Sequence, residues 1–253
     1  MLKLVQIGLA SSVAVAIVAS GASFAQTPSE FEVEAERFAD LRILRYQVPG
    51  FEELDLSTKT LLYFLYEASL SGREVIYDQK YRYNLVVKRT LEEILRRYPG
   101  DRDTVEFAAL ETYIRRVWFS NGIHHHYSND KFDPGFSYET FEHYVRETPG
   151  DFPLRDGQAT DAFLAELRPI IFDPTVDAKL VDKSPGVDVV VGSAVNFYSG
   201  VTQEQVEAFY GALQEPDNPR PVSHGLNSQL TLRNGELTEQ VWSLSGHYGE
   251  ALA

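Results

Sequence analysis

The chain has 253 residues with 37 acidic against 23 Lys and Arg, a formal charge of −14, and no cysteine. This acidity argues against a phosphate-backbone partner, because repulsion would have to be overcome before any contact formed. The absence of cysteine excludes disulfides and thiol catalysis, so stability must come from core burial.

The chain opens with Met1 and Lys3, an apolar stretch from Leu4 to Ala19, and Ser23-Phe24-Ala25 as a small-x-small site. This is the pattern of a secretory signal peptide, residues 1–25, with cleavage expected after Ala25. A retained anchor fits less well: Gln6, Ser11 and Ser12 interrupt the stretch, which is shorter than the ~20 apolar residues that span a bilayer. A lipoprotein would need a cysteine at the cleavage site. The expectation is an exported, bacterial periplasmic chain with no membrane span after cleavage, its remainder 26–253 long enough for one large domain or two small ones.

After a polar, acidic lead-in, residues 26–40, order is expected around Phe38 to Tyr46, and Pro49-Gly50 breaks the chain. A helix is predicted from a Ser57 cap, with Leu61, Leu62, Leu65 and Ala68 as its apolar stripe and Gly72 at its end. A second runs from Asn84 with Leu85, Val87, Leu91, Ile94 and Leu95 inward, Glu92-Glu93 and Arg96-Arg97 on a solvated face, and Pro99-Gly100 as its stop. A third starts at Asp103, with Glu106 completing a capping box, and runs through Phe107, Leu110, Ile114 and Val117. These three should pack as a bundle.

Between Ser120 and Phe136 the periodicity disappears. Loops beyond ~12–15 residues are uncommon in compact domains and are often binding loops. Ser137 caps a short helix to Arg146, and another is expected from Thr160 to Leu167, stopped by Pro169. Val187, Val189, Val190 and Val191 read as a buried strand or core segment. Thr202 and Gln205 form a capping box for a helix ending before Pro216. Leu230 and Leu232, the turn Asn234-Gly235, then Leu237, Val241 and Leu244 describe a β-hairpin that needs a partner, and Gly246 onward resembles the first turn of a further helix. The fold class is therefore mainly α (α+β), a helical bundle lobe with a β-hairpin near the C-terminus.

Motifs for self-contained catalysis are missing from the sequence. No two histidines stand at i and i+4 beside a glutamate, as in His-Glu-x-x-His. His124, His125 and His126 are adjacent, and neighbouring side chains in an extended loop point different ways, so cleft-lining or surface imidazoles are the ordinary reading. Gly192-Ser193 and Ser199-Gly200 do not make a nucleophile elbow, and no glycine pattern for phosphate or dinucleotide binding occurs. With so many acidic residues, no chosen carboxylate pair is informative.

Phe38-Ala39-Asp40-Leu41-Arg42-Ile43-Leu44-Arg45-Tyr46-Gln47-Val48-Pro49-Gly50-Phe51, Val117 to Tyr127 (Val-Trp-Phe-Ser-Asn-Gly-Ile-His-His-His-Tyr) and Asp130-Lys131-Phe132 together resemble the N-terminal part of bacterial dipeptidyl peptidase III. The likeness continues more weakly through Asn196 to Thr202, Gly225 to Ser228 and the hairpin. Members of that family are two-lobed zinc exopeptidases that release dipeptides from oligopeptide N-termini. Their His-Glu-x-x-Gly-His and Glu-Glu-x-Arg-Ala motifs are absent here. The resemblance thus implies a front lobe, a fragment or split chain that is inactive alone and is not expected to bind zinc by itself. Its partners would be oligopeptides and a separate catalytic chain or lobe. It also implies a cleft residue at Tyr127, with Asn121, Gly122 and Lys131 as loop-shaping neighbours. On the residues alone, Asn121-Gly122 only makes a turn and Lys131 only pairs with Asp130. A non-catalytic periplasmic peptide-binding module is the alternative, and a metalloenzyme built on His124 to His126 the least supported reading.

Overall fold

The structure, a computed structural model, describes residues 31–245. The expected signal peptide with its cleavage point, and the helical turn after Gly246, lie outside the described residues. The chain divides into two compact units, Met1–Gln47 and Val48–Ala253.

In the first unit, β1 (Glu34–Phe38) and β2 (Leu41–Leu44) form an antiparallel hairpin. Ala39, at φ 47°, makes its tight turn, and Glu34 binds Arg37 within its own strand and Arg42 across the hairpin. The reading of a polar lead-in missed this hairpin because it weighed the four glutamates and not their alternation with Phe31, Val33 and Ala35, a period-two pattern.

The second unit is mainly helical. Its helices are α1 (Leu56–Ser71), α2 (Arg73–Lys80), α3 (Asn84–Arg97), α4 (Val105–Ser120), α5 (Tyr138–Glu147), α6 (Thr160–Phe172) and α7 (Gln203–Gly211). The main core lies among α2 to α6, where Val87, Leu91 and Ile94 of α3 meet Phe107, Leu110 and Ile114 of α4, Phe141 of α5 and Leu164 of α6. These positions recur every three or four residues, so each helix closes one stripe on its neighbours. A smaller core of Val201, Val206 and Leu230 joins α7 to a three-stranded sheet in the order β3-β4-β5 (Tyr198–Ser199, Ser228–Arg233, Glu236–Val241). The fold class is the expected one, mainly α (α+β) with a C-terminal hairpin.

Asn234 (φ 51°) and Gly235 (φ 85°) both take positive φ, the turn that matches strand twist in a two-residue hairpin. The partner this hairpin needs is supplied by β3, parallel to β4, and by α7. The Thr202–Gln205 capping box forms as expected, and Ser137 caps α5.

Several expectations need correction. Asp55, not Ser57, caps α1: its Oδ1 accepts from Thr58 N at 2.9 Å. Thr104, not Asp103, caps α4 by accepting from Phe107 N, and Glu106 only adds negative charge to the first turn. Helix α6 runs through Pro169 to Phe172; near the C-terminus the proline forfeits one main-chain bond while Ile170 and Ile171 stay buried and hold the last turn. Glu93 is not on a solvated face. It is buried, binds Arg96 and Arg97, and accepts from Asp151 N at 3.2 Å. The valines of 187–191 form no strand: they lie in turns held by the Asp188 carboxylate, with Val187 and Val191 exposed.

The largest departure is α1, which buries no residue. From Leu61 to Tyr66 it is apolar on every side, so its pattern carried no polar face from which to tell the buried side. The bundle is built instead with α2, a helix absent from the sequence reading.

Candidate functional site

The aperiodic stretch after α4 is a well-anchored loop. Asn121 ends α4 in the left-handed conformation (φ 51°, ψ 47°), its N–H returning to the carbonyls of the last turn. Gly122 follows at φ 148° and donates to Val117 O at 2.9 Å. Behind it sits Asn84, fully buried at the start of α3: Nδ2 donates to Tyr77 O at 3.0 Å and Oδ1 accepts from Ile123 N at 3.1 Å. A Cβ on Gly122 would lie 2.2 Å from Asn84 Nδ2, so glycine is dictated here by a close approach as well as by φ.

The loop next folds back on itself. Phe132 N donates to Ile123 O at 2.9 Å, His125 N to Asp130 O at 2.8 Å, and His124 bridges to Lys131. Residues 178–180 continue the pairing, with Lys131 N donating to Ala178 O and Leu180 N to Asn129 O.

The three histidines do not alternate as expected: His124 turns away, while His125 and His126 lie side by side. His124 points into the core, its ring edge-on to Tyr81 at 5.4 Å and its Nε2 2.8 Å from Asp177 O. Its Nδ1 is buried and has no hydrogen-bond partner among the described residues. Burial is the main cause that pushes the His124 pKa down, so the neutral ring is favoured. Tyr81 donates to Asp177 Oδ2 at 2.5 Å and fixes the segment that receives His124. His125 and His126 stack outside at 4.6 Å, and His125 Nδ1 accepts from Tyr127 N and Ser128 N at 3.1 and 3.2 Å. Among the described residues no group of three His, Cys, Asp or Glu side chains could hold a metal ion.

Tyr127 stands at the tip, 83% exposed, with its ring 4.3 Å from that of His126. Its carbonyl accepts from Asn129 Nδ2 at 3.4 Å. Asn129 in turn lines a recess of about 500 Å³ with Lys179, Val181, Lys183 and Ser184. The tip therefore presents an aromatic face beside a recess lined by two lysines.

Asn121, Gly122, Tyr127 and Lys131 thus share one loop but do different things. Asn121 and Gly122 form its hinge on α4. Lys131 does not pair with Asp130; its Nζ donates to Ile170 O at 3.1 Å and to Val176 O, tying the loop to the end of α6. Half-burial lowers its pKa. Asp130 instead meets Lys179 at 4.0 Å. Of the four, only Tyr127 offers its side chain outward. Asn84, Asp177 and the two recess lysines were not singled out from sequence; the one signal for Asn84 was an amide at the head of a helix whose following face is apolar.

No protein-family model matches this chain, and no curated protein matches it.

Proposed function

We propose that this chain is the front lobe of a dipeptidyl peptidase III-like zinc peptidase, exported to the periplasm, where it forms the peptide-contacting wall opposite a catalytic part that supplies the metal. The observation that carries the reading is Tyr127: a large aromatic 83% exposed at the tip of a loop whose base is locked by Asn84, His124 and Lys131. A rigidly presented tyrosine loses little entropy on binding and offers an amphipathic face to a peptide. The resemblance of Asn121 to Phe132 to a segment near the family's substrate cleft supports the same role.

In that arrangement zinc would be held, and water activated, by the catalytic part. The residues of this chain would orient the peptide: the Tyr127 ring against a side chain, and the polar recess of Asn129, Lys179, Lys183 and Ser184 beside it. A second reading, a non-catalytic peptide-binding module, draws on the same loop.

The test is dipeptide release from a short oligopeptide with zinc present, by this chain, by a catalytic half carrying both zinc motifs, and by the two mixed. The reading expects release only from the mixture. Hydrolysis by this chain alone overturns it, and an inert mixture that still binds peptide moves the assignment to the binding module.

A further inference from the structure

Helix α1 is the most conspicuous unclaimed surface of the second unit. It carries only two charges, Lys59 and Glu67, and none of its residues is buried. Leu56, Tyr63, Tyr66 and Leu70 are 80, 58, 59 and 40% exposed. A helix apolar all round is normally covered.

Its sequence is close to palindromic about Tyr63. Reversal about that residue exchanges Leu56 with Leu70, Ser57 with Ser69, Lys59 with Glu67, Leu61 with Leu65 and Leu62 with Phe64. In these pairs like meets like, except at the two charges, where the exchange joins opposite signs; only Thr58 with Ala68 and Thr60 with Tyr66 depart from the pattern. Leu56, Lys59, Tyr63, Glu67 and Leu70 follow one another at spacings of three, four, four and three, which confines them to an arc of roughly 80° on one helix face. An isologous two-fold contact requires this kind of self-complementarity, because each residue must suit its counterpart in both directions.

We propose that α1 pairs antiparallel with α1 of a second copy of this chain, about a two-fold axis passing beside Tyr63. Leu56 then meets the partner's Leu70, and Lys59 meets the partner's Glu67, at both ends of the contact. At present Lys59 Nζ lies 3.0 Å from Glu52 O and 3.4 Å from the Glu52 carboxylate, whose side chain is 92% exposed. Lys59 Nζ also lies 5.6 Å from the centre of the Phe51 ring and its side chain is 27% exposed, so pairing exchanges these contacts for the partner's Glu67.

The area is modest. Leu62 and Phe64 lie about 100° to either side of Tyr63 and outside the contact, so Leu56, Tyr63 and Leu70 at roughly 100–150 Å² each bury about 300–450 Å² per copy, the size of a weak, reversible association. Both copies are strongly acidic, and α1 with its balanced charges is a surface where they can approach without net repulsion.

The cysteine-free chain allows a direct test by sedimentation and by a short bismaleimide linking single introduced cysteines. Expected is a closed dimer in which Tyr63→Cys links to itself, Leu56→Cys does not, and Leu56→Cys mixed with Leu70→Cys links as a heterodimer; in the antiparallel pair two copies of residue 56 sit roughly 20 Å apart. Lys59→Glu or Glu67→Lys alone should weaken the dimer about tenfold or more, and the double exchange should restore it. Since α1 buries nothing, these variants keep the fold. A monomer up to about millimolar chain, assembly that grows past the dimer, equally fast self-linking at 56 and 63, or indifference to the charge changes would each overturn the proposal. Peptide binding is unaffected by any of these outcomes, so the test stands apart from the function proposed above.

Discussion

Asn84 and Gly122 fit each other as one unit: the buried amide occupies the space where any Cβ on residue 122 would lie, 2.2 Å from Asn84 Nδ2, and its Oδ1 accepts the N–H of Ile123. The position of the loop depends on this contact. Gly122→Ala should cost about 2–4 kcal/mol from positive φ and the clash together, and Asn84→Ala about 2–3 kcal/mol from the buried groups it leaves unmatched. In urea unfolding the double variant should lose less than the sum, because the shorter side chain at position 84 makes room for the new methyl.

His124 gives the fold a pH dependence with a definite sign. Its folded pKa is lowered from 6.5, chiefly by burial, so the folded state prefers the neutral ring. Its contribution is complete above the unfolded value and is lost as pH falls from there through the folded one. Asp177 and Asp130 partly oppose the shift and Lys131 reinforces it. Between about pH 7.5 and 5, wild type should lose its stability advantage over His124→Gln, whose amide can still donate to Asp177 O. Parallel stability curves for the two proteins would remove His124 as the cause.

Two leucines that look alike in sequence should behave differently. Leu91, 1% exposed in the core, should cost about 2–5 kcal/mol when replaced by alanine. Leu65, 56% exposed and on the side of α1 away from the face assigned to pairing, should cost under about 0.5 kcal/mol. Thermal melts of the two variants decide this, and comparable losses would mean that α1 is packed.

That contrast marks how far the sequence could be read. Helices α3 and α4 were legible because Val87, Leu91, Ile94, Phe107 and Leu110 repeat at helical spacing against charged faces, α5 because Ser137 caps it, and the last hairpin because Asn234-Gly235 admits one tight turn. Helix α1 was legible as a helix but not as an exposed one, since six successive apolar residues mark no side. The β1–β2 hairpin and the buried Glu93 were not legible: glutamate gives no sign that Arg96, Arg97 and Asp151 N will receive it. At the candidate site the loop itself stood out by its lost periodicity. Lys131 did not reveal its partners, because Ile170 O and Val176 O come from about 40 residues further along the chain.

The most direct test of the peptide-contacting role is an NMR titration of the chain with a short oligopeptide, repeated with Tyr127→Ala. The account predicts saturable shifts centred on residues 121–132 and the 179–184 recess. Affinity should fall about five- to tenfold in the variant with no change in melting temperature, as loss of one exposed aromatic contact requires. Absence of any binding at millimolar peptide, or binding that Tyr127→Ala leaves unchanged, would contradict it.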